Sequence, residues 1–171
     1  MSKTITITDS TLDKIKNQVQ EETKDVKEKK KINITIKDRF TGAIIWESEK
    51  TTYKEAVEDA NLEGTNLEYA NLEGANLKGV NLEYANLKDA NLEGANLKGA
   101  NLKGVNLEYA NLKDANLEGA NLKDANLRDA NLKDADLKDA DLGGVKTVYC
   151  KINFSSSEYP QAKQFIEGLK L

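Results

Sequence analysis

A solenoid that turns a corner every five residues is the fold class this sequence predicts, and three observations carry the prediction. From Ala60 to Gly144 the chain reads as seventeen consecutive five-residue units, with leucine central in each from Leu62 to Leu142 and nothing inserted or deleted. A period of five matches neither the alternation of a strand nor the 3.6-residue turn of an α-helix. The residue two before each leucine is alanine, except at Thr65, Val80 and Val105. Each side of the solenoid therefore turns one large and one small apolar group inward.

The elements before the repeat follow from pattern. Residues 3–8, KTITIT, alternate and are β-branched, which predicts a short strand. Ser10 with Asp13 resembles a capping box, and Leu12, Ile15, Val19 and Val26 then mark a thin helical stripe from Thr11 to Lys31. That helix either lies against its own domain or forms a short dimerising coiled coil, with Lys29–Lys31 a solvated end. Ile32–Ile36 alternates strictly, Arg39-Phe40-Thr41-Gly42 supplies a turn, and Ala43–Ser48 returns, which predicts a β-hairpin. Thr52 with Glu55 is a second capping-box signal, opening a short helix over Tyr53–Asp59. After Gly144, Val145 keeps the pattern while Lys146 and Thr147 break it. Thr147–Phe154 reads as a strand, and Glu158–Leu171 as a helix with Pro160 in its first turn. The expected organisation is a head (1–59), a repeat (60–144) and a strand-helix cap (145–171), the end elements covering edges that would otherwise recruit other chains.

Within the repeat, asparagine precedes leucine in fifteen units, with Asp136 and Asp141 at the end. Such a column can hydrogen-bond corner backbone groups and its neighbours above and below, so its expected role is structural. A longer duplication lies inside the short one: Val80–Gly104 and Val105–Asp129 differ only at Gly99/Asp124, Lys103/Arg128 and Gly104/Asp129.

The A(N/D)LXX units resemble those of pentapeptide-repeat proteins. The resemblance implies a mainly β fold, a right-handed quadrilateral parallel β-helix with four units per coil, here carrying an α+β head and a strand-helix cap. The 25-residue duplication then spans five units, so its copies are rotated by one face. That argues for building length rather than repeating a site. The flanks resemble small phage and prophage members in which a DRFTG-type hairpin and a short helix precede the repeat, here Asp38-Arg39-Phe40-Thr41-Gly42.

Composition narrows the function classes. The net charge is −4, and the repeat alone holds fifteen acids and nine bases. The commonest general base and metal ligand is absent, because there is no histidine. The single Cys150 excludes an intramolecular disulfide, fits a reducing bacterial cytoplasm, and reads as inert packing. No apolar run approaches a membrane span, and MSKTITITDS lacks a signal-peptide core. Carboxylates on regular convex faces lack the cleft that shifts a catalytic pKa, so no enzyme, cofactor or metal site is expected. Basic residues do not cluster with stacking aromatics, so direct nucleic-acid binding is not expected either.

What remains is protein binding. The candidate surface is the second position after each leucine: Tyr69, Tyr84, Asp89, Tyr109, Asp114, Asp124, Asp129, Asp134 and Asp139. The tyrosines are either contacts or packing over glycine corners. Val148, Phe154, Phe165 and Ile166 form either a homodimer surface or closure of the last coil. Relatives that resist quinolones or bind topoisomerases are thought to mimic duplex DNA. The resemblance thus implies a phage-type inhibitor of a host DNA-acting or defence protein, such as a topoisomerase or an RNA-guided nuclease complex. The alternative is a structural or assembly module in which the β-helix is a rigid spacer between a recognising head and tail.

Overall fold

The computed structural model describes Lys16 and residues 34–147. Apart from Lys16, the strand and charged helix expected before Ile32 lie outside the described residues. So do Cys150, the C-terminal strand and helix beyond Thr147, and the candidate dimer surface Val148, Phe154, Phe165 and Ile166. The chain divides between Ile32 and Asn33. The hairpin and short helix that sequence placed in a separate head therefore belong to the same unit as the repeat.

The hairpin forms where alternation predicts it, as β1 (Ile34–Asp38) paired antiparallel with β2 (Ile44–Ser48). Its turn is set by Asp38, whose Oδ1 accepts the backbone N–H groups of Phe40 and Thr41 at 2.8 and 2.7 Å. Those donors hold the Asp38 carboxyl below its usual value. The other edge of β1 pairs antiparallel with β3 (Ala70–Asn71), giving a sheet ordered β2-β1-β3. The hairpin thus covers one open edge of the first coil.

Helix α1 runs Tyr53–Leu62, three residues beyond its expected end and into the first sequence unit. At its start the Thr52 hydroxyl accepts the Glu55 N–H at 3.2 Å and donates to the Glu55 carboxylate at 2.9 Å. At its end Gly64 has φ +69°, and the N–H groups of Thr65 and Gly64 donate to the carbonyls of Ala60 and Asn61. This is a Schellman motif, with the unit's last glycine at the left-handed position. Leu62 is consequently 82% exposed rather than inside. The first of the seventeen units is a helix end, and the coils begin after it. Glu58 of α1 accepts the Asn81 N–H at 2.9 Å, standing in for the coil that α1 displaces.

From there each unit repeats one hydrogen-bonding scheme. Parallel bridges join each Asn to the residue twenty further on, from Asn71↔Asn91 to Asn126↔Lys146, so a coil holds four units and has four sides. The leucine N–H donates to the asparagine carbonyl of the next coil, and that asparagine's N–H donates back to the small residue of the first. The chain turns after each leucine through a β-turn closed by the N–H three residues on, with positive φ at its third residue. That is the signature of a type II turn. Interior strand backbone groups are thereby paired between coils, as burial requires. The coil ladder continues through Lys146, the residue at which the sequence pattern breaks, because backbone pairing does not depend on the side chain there.

The core is one column. The fifteen leucines from Leu67 to Leu137 are buried, as are Val80 and Val105, while Leu142 and Val145 are half-buried at the last described coil. Asparagine does what its column predicts. Each Oδ1 accepts the N–H two residues on, as with Lys113 to Asn111 at 3.3 Å, and Nδ2 donates to the asparagine one coil back, as from Asn111 to Asn91 at 3.2 Å. Asp136 and Asp141 keep the first bond (Lys138 and Gly143 N–H, both 3.0 Å) but have no side-chain donor to continue the ladder.

Candidate functional site

All nine residues of the candidate surface share one backbone state. Tyr69, Tyr84, Asp89, Tyr109, Asp114, Asp124, Asp129, Asp134 and Asp139 are the described non-glycine residues with positive φ, between 55° and 63°. They are the third residues of the corner turns, a position the other corners fill with glycine. Aspartate there has a conformational reason, since Asp tolerates the left-handed region better than most side chains. Tyrosine has no such excuse.

The twenty-residue bridging distributes these residues over four edges. One edge carries Glu68-Tyr69, Lys88-Asp89, Glu108-Tyr109 and Arg128-Asp129. The next carries Glu73-Gly74, Glu93-Gly94, Lys113-Asp114 and Lys133-Asp134. The third carries Lys78-Gly79, Lys98-Gly99, Glu118-Gly119 and Lys138-Asp139. The fourth carries Glu83-Tyr84, Lys103-Gly104, Lys123-Asp124 and the glycines 143 and 144. Sequence reasoning named the nine together; the structure divides them, with Tyr69, Asp89, Tyr109 and Asp129 on the first edge, Asp114 and Asp134 on the second, Asp139 on the third, and Tyr84 and Asp124 on the fourth. Charge is also partitioned. The first two edges flank one side of the shaft and hold eight acids against four bases, whereas the other two hold four acids against five bases.

Stacked pairs neutralise much of the lysine charge. Lys103 lies 3.1 Å from Glu83, Lys113 2.9 Å from Glu93, Lys98 2.6 Å from Glu118 and Lys88 3.7 Å from Glu68. Hydrogen bonds from these lysines hold the carboxyls of Glu83, Glu93 and Glu118 below their usual value, and bonds to the partner carboxylates raise Lys103 and Lys113. Asp114 and Asp134 receive Lys113 at 2.9 Å and Lys133 at 3.9 Å. Asp89, Asp124, Asp129 and Asp139 form no ion pair with a described residue.

The three tyrosines differ. Tyr84 is 68% exposed and reaches onto the next coil, where a Cβ built on Gly104 would stand 2.5 Å from its ring. Lys103 sits 5.5 Å from the ring centre. Tyr84 is the glycine-corner cover that sequence reasoning allowed. Tyr109 is its copy in the 25-residue duplication, but the residue below it is Asp129 where Tyr84 has Gly104. The ring turns the other way, with Lys88 of the preceding coil 5.9 Å from its centre. Tyr69 packs edge-to-face on Phe40 at 5.9 Å.

Phe40 and Arg39 are the functional candidates that sequence reasoning missed. The Arg39 N–H donates to the Tyr69 carbonyl and its Nη1 to the Asp89 carbonyl at 3.0 Å. Its guanidinium also covers Phe40 at 4.8 Å. This seats the hairpin tip at the head of the tyrosine edge. No periodicity announces it, because a turn's sequence says nothing of what the turn touches.

Among the described residues no three carboxylates or thiols stand where they could share a metal ion, and no helix is long and apolar enough to cross a membrane. Two open pockets of about 400 and 380 Å³ lie beside β1 and the start of α1. Among the described residues their linings offer Lys37, Lys54, Lys78 and Tyr53 but no carboxylate or thiol to pair with them as acid and base.

Comparison with known protein families agrees with this architecture. The family model for pentapeptide repeats matches residues 58–94, 85–124 and 110–146. A search of curated proteins finds no match. Among solved structures the chain is similar to Rfr23, a pentapeptide repeat protein of the cyanobacterium Cyanothece 51142, at 42% identity and TM-score 0.49. That match covers 50% of this chain and 58% of the other, so this chain spans less than two thirds of it. A pentapeptide repeat protein from the Arabidopsis thaliana thylakoid lumen matches at 27% identity and TM-score 0.41, covering 56% of this chain and 72% of the other. QnrB1, a plasmid-mediated fluoroquinolone resistance protein, matches at 18% identity and TM-score 0.21, covering 59% of this chain and 62% of the other.

Proposed function

This chain belongs to the pentapeptide repeat family, and on that premise we propose that it is a non-enzymatic protein-binding module of the bacterial cytoplasm. Its right-handed quadrilateral β-helix presents one acidic side to a DNA-acting or anti-phage defence protein of the host, such as a topoisomerase or an RNA-guided nuclease complex. It acts as a phage-type inhibitor by occupying the cationic groove in which the partner holds nucleic acid. The observation that carries this reading is the partition of charge. Two adjacent edges border one side of the shaft with eight carboxylates against four bases, and two rows of anions across a flat face are what a phosphate-binding groove accepts.

Magnitude limits the mimicry. The repeat has a net charge of −6, while duplex DNA carries about 12 charges over the roughly 20 Å that four coils span. The module therefore carries about half the charge of duplex DNA over the same length. Binding to a DNA-acting target is expected to compete with duplex DNA and to weaken as salt rises from 50 to 200 mM. Salt-insensitive binding that tolerates saturating DNA would overturn the reading.

A spacer role is the second reading, favoured by the duplication whose copies fall on different edges, as Tyr84 and Tyr109 do. Removing one whole coil discriminates: a spacer keeps its partners, whereas a mimic loses affinity.

A further inference from the structure

The edge bearing Tyr69, Asp89, Tyr109 and Asp129 differs from the other three in ways that folding does not demand. It alternates aromatic ring and carboxylate, with like groups two coils, or roughly 10 Å, apart. At its head the hairpin adds Phe40, which is 69% exposed and packed on Tyr69. Tyr109 is 49% exposed and Tyr69 37%. Both hold a left-handed backbone that glycine adopts freely at equivalent corners. Asp129 has no ion-pair partner among the described residues, nor has Asp89 between the two rings. The chain's own cations already show what this chemistry attracts. Arg39 covers Phe40 at 4.8 Å, and Lys88 stands 5.9 Å from Tyr109.

We propose that this edge is the docking surface, and that its occupant is an arginine-rich protein surface whose guanidinium groups stack on Tyr69 and Tyr109 and pair with Asp89 and Asp129. The choice follows from charge and shape together. A planar guanidinium stacks on an aromatic face and forms bidentate bonds to a carboxylate, whereas an ammonium is a strongly hydrated point charge. On the neighbouring edges no ring stands next to a corner carboxylate of the adjacent coil. The edge of Asp114 and Asp134 has no ring, and its aspartates face Lys113 and Lys133. Tyr84 has a glycine beneath it instead of a carboxylate. The inference rests on the reading of the chain as a binding module and says where, and to what chemistry, it binds.

Fluorescein-labelled nona-arginine and nona-lysine peptides, titrated against the full chain by fluorescence anisotropy at 50 and 150 mM salt, test it. The expected result is at least threefold tighter binding of nona-arginine. A Y109G variant and a D89N/D129N variant should each weaken that binding about tenfold or more. Both changes keep the corner backbone, since glycine and asparagine tolerate positive φ, so circular dichroism should show them folded. D124N/D139N removes the same two charges from the same backbone state on other edges and should stay within twofold of native. Equal affinity for the two peptides, no loss in Y109G, or equal losses in D124N/D139N and D89N/D129N would each overturn the proposal. Competition with duplex DNA for a DNA-binding protein separates the two readings. Edge variants that compete as well as native sink the surface but keep the module reading. A native chain that grips nona-arginine through this edge yet never displaces DNA keeps the surface and sinks the mimic.

Discussion

Replacing Gly104 by alanine probes the corner logic at its tightest point. Gly104 has φ +63°, and an added Cβ would stand 2.5 Å from Cδ1 and Cε1 of Tyr84. Two effects then add. An L side chain in the left-handed region costs roughly 1–2 kcal/mol, offset by about 0.4–1 kcal/mol because alanine also restricts the unfolded chain. The Tyr84 ring must also lift, giving up its contact with the next coil and the Lys103 ammonium 5.5 Å from its centre. An exposed cation–π contact is worth about 0.5–1 kcal/mol. Gly99 supplies the control, with φ +65° and nothing within 4 Å of an added Cβ. Gly99→Ala should therefore cost about 0.5–1 kcal/mol, and Gly104→Ala about 1 kcal/mol more. In a Tyr84→Gly background that difference should vanish. Urea unfolding followed by far-ultraviolet circular dichroism, with Trp46 fluorescence reporting the hairpin, measures all four variants. A Gly104→Ala protein no less stable than Gly99→Ala refutes the claim that Tyr84 rests on Gly104. A difference that survives in the Tyr84→Gly background refutes the assignment of its cause.

The remaining expectations follow from the ion pairs, the asparagine ladder and the coil register. Hydrogen bonds from the stacked lysines hold the folded-state pKa values of Glu83, Glu93 and Glu118 below the ordinary glutamate value of 4.5. Their contribution to stability is present above that value and lost as pH falls through the folded values. Urea midpoints should thus drop between pH 5 and pH 3, and an E83Q/E93Q/E118Q protein should show a flatter profile; an unchanged slope would remove the pairs from the account. Asn111 donates to Asn91 and to Glu93 (2.9 Å) and accepts from the Lys113 N–H and from Asn131 (2.9 Å). Asn111→Ala should cost about 1–3 kcal/mol in the same urea assay, and a loss within 0.3 kcal/mol would make the ladder decorative. Deleting residues 85–104 removes one coil in register and should leave a folded, slightly less stable protein. Deleting residues 80–104 also closes the sequence without a break in the repeat but rotates everything after it by one edge. It should fold comparably and abolish edge-dependent binding, which circular dichroism and the nona-arginine titration read together.

Much of the fold was legible because its rule is local. Five residues contain one complete turn, its inward leucine, its small partner, its asparagine bond and its corner glycine or aspartate, so seventeen repetitions spelled out a column before any contact was known. The same locality misled at both ends. Ala60-Asn61-Leu62-Glu63-Gly64 satisfies the unit, yet a left-handed glycine ends a helix as readily as it turns a corner, and α1 claimed it. Lys146 breaks the unit, yet its backbone pairs with Asn126 all the same.

The candidate surface divides along the same line. That Tyr69, Asp89, Tyr109 and Asp129 share an edge follows from counting twenty residues per coil, which sequence alone supported through the family resemblance. Tyr84 rests against Gly104, which has no Cβ, whereas its duplicate Tyr109 is stacked with Asp129 and approaches Lys88 of the preceding coil, a difference that only the structure reveals. That the hairpin tip completes the edge was decided by Arg39 reaching the Asp89 carbonyl, fifty residues away. A periodic sequence determines everything that repeats, because each unit meets the same neighbours. It is silent about what a non-repeating segment packs against, because that depends on the sum of many weak contacts formed only when the chain closes on itself.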